Sequence, residues 1–179
     1  MFALYVDVLT ALEQSALGHA SRHSAWLFTI ANVLHVLGAA FLVGGIAVFD
    51  LKVLRDGGRG AATVGRIAVP LAALGLAVQV PTGLVLLSVE ATKLGVNPAF
   101  YAKLAFIAVG LANLAVLHGR SGSAMSGDDL PAGARAFAAV SLVAWIVALI
   151  AGRMMAYVCR RRPYDAPLRA ASQEVPDPA

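Results

Sequence analysis

Charged side chains are scarce in this sequence of 179 residues, of which Asp, Glu, Lys and Arg make up only 13%. A soluble domain carries about 25%. The shortage of charge, together with a hydrophobic content of 59% and a mean hydropathy of +0.77, excludes an ordinary water-soluble fold for most of the chain. The composition therefore predicts a protein that lies largely in a lipid bilayer.

Cysteine is also nearly absent, since Cys159 is the single one in the sequence. A lone cysteine excludes an internal disulfide and any zinc or iron–sulfur site built from several cysteines. The glycine-rich residues 57–60 lack the following lysine and hydroxyl residue of a phosphate-binding loop. Because the sequence shows neither a nucleophile with a base nor an acid/base pair, we do not expect an enzyme.

The net charge of +4 does not indicate a nucleic-acid partner. The cations stand at the ends of apolar runs, where Lys and Arg meet lipid headgroups and set topology. Four such runs are long enough to cross a bilayer, which takes about 20 residues. We expect spans over residues 26–49, 67–88, 98–118 and 131–157.

Short connections between successive spans favour antiparallel neighbours. The predicted fold class is therefore all-α, an integral membrane bundle of four up-and-down helices. Pro81 and Gly83 should kink the second span. Four small residues are expected at close helix contacts, namely Ala40, Gly44, Gly75 and Gly110.

The bundle is expected to occupy residues 23–160. Residues 1–22 place apolar side chains at helical spacing among polar ones, which predicts an interfacial amphipathic helix and a linker. Residues 161–179 are rich in Pro, Ala and charge, which predicts a disordered cytoplasmic or periplasmic tail. The cations around the first span favour an external N-terminus, whereas those at 160–162 favour an internal C-terminus; we follow the first span.

His35 lies in an uncharged stretch between Arg22 and Asp50 that is long enough to span a bilayer. An ionisable side chain at such depth is costly and normally faces the interior of a bundle. Its helix face is small and polar, and consists of Asn32, His35, Gly38, Leu42 and Gly45. Two interpretations stay open: a neutral core histidine hydrogen-bonded to Asn32 or another helix, or a histidine that binds a ligand or carries protons.

Depth in the membrane predicts which side chains meet His35, which lies nine residues after Trp26, or about 14 Å. The candidate cofactor-binding residues on that side are His35, Asn32, Gln79, Lys103 and Arg153. A b-type haem would place its iron at the histidine and its propionates at the two cations. A quinone would instead hydrogen-bond to His35 and Gln79. The alternative is that both cations only extend toward headgroups.

His118 ends the third span where Asp50 ends the first, so these two are expected to form a structural pair. His35 and His118 are the candidate metal ligands. Their depths differ by about 13 Å at the rise of a helix, which argues against both binding one haem.

His19 and His23 are four residues apart, a spacing that puts two metal-ligating side chains on one helix face. Contact with headgroups is the default interpretation. Copper capture is the alternative, with Met154 and Met155 as soft ligands for Cu(I).

The first span has an aromatic start at Trp26, then a histidine and glycines, and ends in an Asp-Leu-Lys triplet at residues 50–52. Shorter motifs follow in order over residues 82–87, 97–104, 112–120 and 151–157. This pattern resembles an uncharacterised family of small bacterial membrane proteins with four spans. That family is distantly similar to copper-resistance D-type proteins and to haem-binding four-helix membrane proteins. The resemblance implies a multi-pass protein of the bacterial inner membrane.

Two hypotheses for function follow. The favoured one is a membrane-embedded redox or cofactor-binding subunit centred on His35, holding b-type haem or a quinone and serving another membrane or periplasmic redox protein. The alternative is a structural or assembly partner, or a transporter-like module that handles copper or protons. The second hypothesis rests on the lack of a second axial ligand at the depth of His35.

Overall fold

The computed structural model describes the backbone of residues 2–121 and 133–158 and the side chains of residues 3–116 and 133–155. In this part of the chain, all regular structure is helical. The helices are α1 (Phe2–Gln14), α2 (Ala16–His23), α3 (Ala25–Asp56), α4 (Ala61–Val89), α5 (Ala91–Gly95), α6 (Pro98–Ser121) and α7 (Ala134–Val158).

Four of these helices, α3, α4, α6 and α7, are long and apolar enough to cross a membrane. The chain is an all-α integral membrane helix bundle, which confirms the predicted fold class. The helices run beyond the predicted spans, since α3 continues to Asp56 and α4 already begins at Ala61. Large apolar side chains such as Trp26 and Val36 are exposed along them, as lipid-facing positions require.

The two middle helices of the bundle are α3 and α7. Helix α3 packs along α4 and against α7, and α6 packs on α7. The short helices α1, α2 and α5 gather at the end of the bundle where α4 ends and α6 begins. This is also the end at which α3 starts, so it is the end nearer to His35.

Glycines let α3 and α4 approach each other closely. A Cβ atom on Gly75 would overlap the backbone nitrogen of Leu42 and would lie 2.6 Å from the carbonyl oxygen of Gly38. A Cβ on Gly45 would lie 2.7 Å from the carbonyl oxygen of Ala68. Backbones come this close in membranes where small residues line the contact, since van der Waals packing drives helix association there.

The small residues of this chain only partly follow the prediction. Gly75 and Gly110 lie at close contacts as expected, Gly110 against the ring of Trp145. The expectation for Ala40 and Gly44 is wrong, because both are exposed and nothing lies within 4 Å of a Cβ built on Gly44. Helix α3 is apolar on nearly all sides, so its pattern does not reveal which small residues face a partner.

The turn between α3 and α4 depends on glycine. Gly57, which ends α3, has φ 66°, and Gly60, which precedes α4, has φ 68°. Residues with a Cβ rarely adopt these angles. A Cβ on Gly57 would lie 3.3 Å from a guanidinium nitrogen of Arg135. Arg135 thus places a cation at the carboxyl end of α3, where the helix dipole favours it.

Residues 2–23 form two helices docked on the bundle. The break comes at Ser15, whose side-chain oxygen accepts a hydrogen bond from the N–H of Gly18 and so caps α2. Helix α1 is held to α5 by the hydroxyl of Tyr5, which donates to the carbonyl oxygen of Gly95 at 2.9 Å.

Helix α1 turns Leu9, part of its predicted apolar stripe, toward α5. Leu4, Asp7 and Val8 are exposed, so its outward face is mixed in polarity. The interfacial location of this helix stays a prediction. The tail predicted over residues 161–179 lies outside the described residues.

Glu13 and Arg22 connect these helices to the ends of α4 and α5. A carboxylate oxygen of Glu13 accepts hydrogen bonds from the Thr92 N–H at 2.9 Å and from its hydroxyl at 2.7 Å. The guanidinium of Arg22 donates to the carbonyl oxygens of Ser88, Val89 and Glu13. Both contacts satisfy backbone groups that a helix end leaves unpaired.

We expect Gly75→Ala to lower the free energy of unfolding by about 1–3 kcal/mol, the usual cost of overpacking. The added Cβ would press on the backbone of Leu42, and this outweighs the better helix propensity of alanine. Unfolding by a denaturing detergent, followed by circular dichroism, measures the change. Gly44→Ala is the matched control and should unfold no earlier than the wild type, because its Cβ meets open space. Equal losses in both variants would contradict the close contact.

The docking of α1 should depend on pH through Glu13. The hydrogen bonds from the Thr92 N–H and hydroxyl hold the pKa of Glu13 below its ordinary value of 4.5. Ionised Glu13 therefore stabilises the docked state above pH 4.5, and this stabilisation is lost as the pH falls through the lowered pKa. We expect the backbone amide hydrogen of Thr92 to exchange with solvent faster below the lowered pKa of Glu13 than above pH 4.5, after correction for the intrinsic exchange rates. Glu13→Gln does not titrate, so it should show no such change.

Candidate functional site

His35 lies on α3, about 15 Å along the helix from Ala25 at a rise of 1.5 Å per residue, and its half-buried ring faces α4. Its Nδ1 is 3.0 Å from the hydroxyl oxygen of Thr82. Gly83 makes room for the ring, because a Cβ there would lie 3.2 Å from the Cε1 atom of His35. The predicted inward face of α3 is confirmed at Gly38, Leu42 and Gly45, all of which are buried.

The hydroxyl of Thr82 decides which ring nitrogen of His35 carries the proton. Thr82 donates its one hydroxyl hydrogen to the carbonyl oxygen of Val78 at 2.6 Å. Its oxygen can therefore only accept from His35, so we assign the proton of the neutral ring to Nδ1. The Nε2 atom of the neutral ring is then unprotonated and carries a lone pair. A histidine held by a hydrogen bond at one nitrogen is the usual form of a metal ligand.

Gln79 lies beside this pair, as the depth argument predicted, but its contact with His35 is through the backbone. Its carbonyl oxygen lies next to the imidazole and 3.3 Å from the hydroxyl oxygen of Thr82. The side-chain oxygen of Gln79 is buried and has no partner in the described part of the chain. An unpaired amide oxygen in an apolar environment costs free energy, so it is suited to a bound ligand.

Lys103 on α6 is the cation of this site. It is close enough to His35 to act on the ring electrostatically, and its side chain packs against Gly152 on α7. A Cβ on Gly152 would lie 3.6 Å from Nζ. Within the described ranges, no carboxylate lies within 4.0 Å of the Lys103 ammonium, the distance at which the two would form an ion pair. His35 and Gln79 thus meet between α3 and α4, while Lys103 on α6 packs against α7 and acts on the ring by its charge.

Two of the predicted residues do not join this group. Asn32 is exposed, and the histidine is held by Thr82 where Asn32 was one expected partner. Arg153 is also exposed, on the helix position next to Gly152. Depth placed Arg153 at the site and helix spacing placed Asn32 there, but the side chains of both are exposed.

Asp50 lies at the other end of the bundle, where its side chain is only 5% exposed. One carboxylate oxygen is buried without a partner among the described residues, and the carboxyl hydrogen-bonds to Ser141 on α7. The predicted partner, His118, has its side chain outside the described ones, so the Asp50–His118 pair and the metal-ligand role of His118 stay predictions.

The described residues form no group of three or more His, Cys, Asp or Glu side chains that could hold a metal ion. His19 and His23 are exposed on α2, with their rings nearly parallel. Met154 is exposed and Met155 half-buried on α7, and no hydrogen bond, ion pair or ring contact places either beside the two histidines.

The sequence interpretation missed Thr82 and Ser141. Thr82 follows Gln79 by three residues and so shares its helix face, which was the available signal. A hydroxyl in a membrane helix can equally bond to its own backbone, as Thr82 also does, so its residue type alone does not mark a site.

Comparisons of the chain with protein-family models, curated proteins and solved structures find no match. The resemblance to small four-span bacterial proteins therefore stays an expectation. The geometry around His35 is the basis for an assignment of function.

Thr82→Val should remove the acceptor for the Nδ1–H of His35 while keeping the shape of the side chain. We expect the proton to shift in part to Nε2, which ¹⁵N NMR of the ring nitrogens in labelled protein measures. Thr82→Ser retains the hydroxyl and should retain the wild-type tautomer. An unchanged tautomer in Thr82→Val would show that another group holds the ring.

Proposed function

We propose that this protein is a membrane-embedded cofactor-binding subunit in which His35 is an axial ligand of a b-type haem. The observation that carries the proposal is the free lone pair on Nε2 of a histidine whose other nitrogen is fixed by Thr82. Iron binds an unprotonated imidazole nitrogen, and a second hydrogen bond at Nδ1 orients such a ligand.

Lys103 supports haem through its charge. Its ammonium has no carboxylate partner within the described residues and lies near His35, at the end of the bundle that reaches the membrane surface. A haem carries two carboxylates, and one of them would supply the missing counter-ion. Pairing of both charges would lower the cost of placing either one in the bilayer.

A quinone is the second candidate, and the unpaired oxygen of Gln79 is the observation that favours it. That oxygen and Nε2 of His35 could both accept hydrogen bonds from the hydroxyls of a quinol, and Lys103 could donate to a quinone carbonyl. An oxidised quinone has only acceptor oxygens. Nε2 of the assigned tautomer carries no proton, so it cannot donate a hydrogen bond to them. Haem therefore agrees better with the assigned proton on Nδ1.

The proposed location is the bacterial inner membrane, with the N-terminus outside. The cations before and after the first span support this orientation. It would put His35 and Lys103 in the outer half of the bilayer, within reach of a membrane or periplasmic redox protein as partner.

An optical spectrum of the purified protein tests the proposal. After haem is supplied to the cells or to the protein in detergent, we expect a Soret band and the reduced bands of a b-type haem. His35→Ala should lose at least about 90% of the bound haem, because axial ligation is the main specific contact.

Two further variants separate ligation from general loss of structure. His23→Ala changes an exposed histidine away from the site and should bind haem like the wild type. Lys103→Gln should weaken binding while leaving the spectrum of the bound haem unchanged, and Lys103→Arg should restore it. A wild-type preparation without a Soret band after haem supply would overturn the proposal.

A further inference from the structure

We propose that α2 carries a second binding site, in which His19 and His23 together bind one divalent ion of a first-row transition metal. The site lies outside the membrane spans, on the short helix that precedes α3. It does not involve His35 and does not depend on the haem proposal.

The geometry of the two rings fits a shared ion. Both imidazoles are exposed, their planes are parallel within 3°, and their centroids are 6.3 Å apart. A metal–nitrogen bond of about 2.1 Å would place the centroids of two imidazoles on one ion about 5–6 Å apart. The centroid separation is thus close to that of two imidazoles on one ion, and rotation of the side chains out of the parallel arrangement would turn one nitrogen of each ring toward a shared ion.

The helix that carries the rings is fixed before any metal binds. An isolated helix as short as α2 would be marginal in water. Here its inner face is buried through Gly18 and Ser21, and a Cβ on Gly18 would lie 2.9 Å from the carbonyl oxygen of Ser88. The side chains of Ser15 and Ser24 cap the start of α2 and the start of α3. Because docking already orders α2, metal binding does not have to order it.

The neighbouring cation does not compete with the ion. Arg22 lies between the two histidines in sequence, but its guanidinium is held by the carbonyl oxygens of Ser88, Val89 and Glu13. These acceptors lie on α1 and at the end of α4, on the docked side of α2. These hydrogen bonds hold the guanidinium toward the ends of α1 and α4.

The donor set determines the class of ion. Imidazole nitrogens suit Zn²⁺, Cu²⁺ and Ni²⁺, whereas Mg²⁺ and Ca²⁺ require oxygen ligands. The described residues place no third His, Cys, Asp or Glu with the pair. Water or another external ligand would therefore complete the coordination, which makes this an open and exchangeable site. Affinity should follow the general order for divalent ions, with Cu²⁺ above Ni²⁺ and Zn²⁺.

The test is a titration of the full-length protein in detergent micelles with Cu²⁺ or Zn²⁺ against a chromophoric chelator. The purification tag must contain no histidine. We expect one ion per chain, and His19→Ala or His23→Ala should each weaken binding by at least about tenfold, because the second ligand binds at high effective concentration.

A spacing variant distinguishes metal binding by the His19–His23 pair from binding that depends only on the number of histidines. The double change His23→Ala with Ala20→His keeps the number of histidines but places them at adjacent positions, and Ala20 is exposed enough to accept the ring. It should bind as weakly as His23→Ala. His35→Ala should bind the ion like the wild type, with unchanged circular dichroism. Equal affinity of the wild type and the spacing variant would overturn the proposal.

Discussion

The close contact between α3 and α4 is the constraint on which the site depends. Gly38 lies one turn after His35 on α3, and Gly75 lies two turns before Thr82 on α4. Since neither glycine has a Cβ to separate the helices, the oxygen of Thr82 reaches Nδ1 of His35 at 3.0 Å. A wider separation would leave that N–H without an acceptor in the bilayer, at a cost of a few kcal/mol. The packing of small residues therefore sets the tautomer of the histidine, and through it the chemistry that Nε2 can perform.

Unsatisfied polarity is concentrated near His35. In the described part of the chain the side-chain oxygen of Gln79 is buried without a partner, and no carboxylate forms an ion pair with Lys103. A histidine that only served packing would need no such neighbours, because each one raises the free energy of the folded state in lipid. Asp50 is a separate case, since one of its oxygens is unpaired at the opposite end of the bundle beside Ser141. The unpaired amide oxygen beside His35 favours a ligand site over a merely tolerated core residue.

The sequence predicted the bundle well and its contacts only in part, for a physical reason. Long apolar runs identify spanning helices, but they end at the first charges, whereas α3 continues through the Lys52–Asp56 ion pair. The depth of a residue follows from its position in a run, and depth placed Gln79 beside His35. The rotation of a helix depends on which neighbour it meets, and a uniformly apolar helix carries little information on that. Arg153 is exposed for this reason, and Asn32 is exposed although Gly38, Leu42 and Gly45 on its predicted face are buried.

The two histidine sites are connected through the helices α3 and α4, both of which contact α2. Ser88 near the end of α4 contacts Ser21 on α2, and Thr82, about 9 Å earlier along the same helix, holds His35. Arg22 and Glu13 join the short helices to that end of the bundle through backbone groups, so α2 cannot shift without moving α4 or breaking those hydrogen bonds. A shift of α2 can therefore reach the His35 ring through α4 and its Thr82, or through α3, which begins directly after α2 at Ser24. Because such coupling is reciprocal, a ligand at His35 that tightened the contact between His35 and Thr82 would also stabilise the docked position of α2.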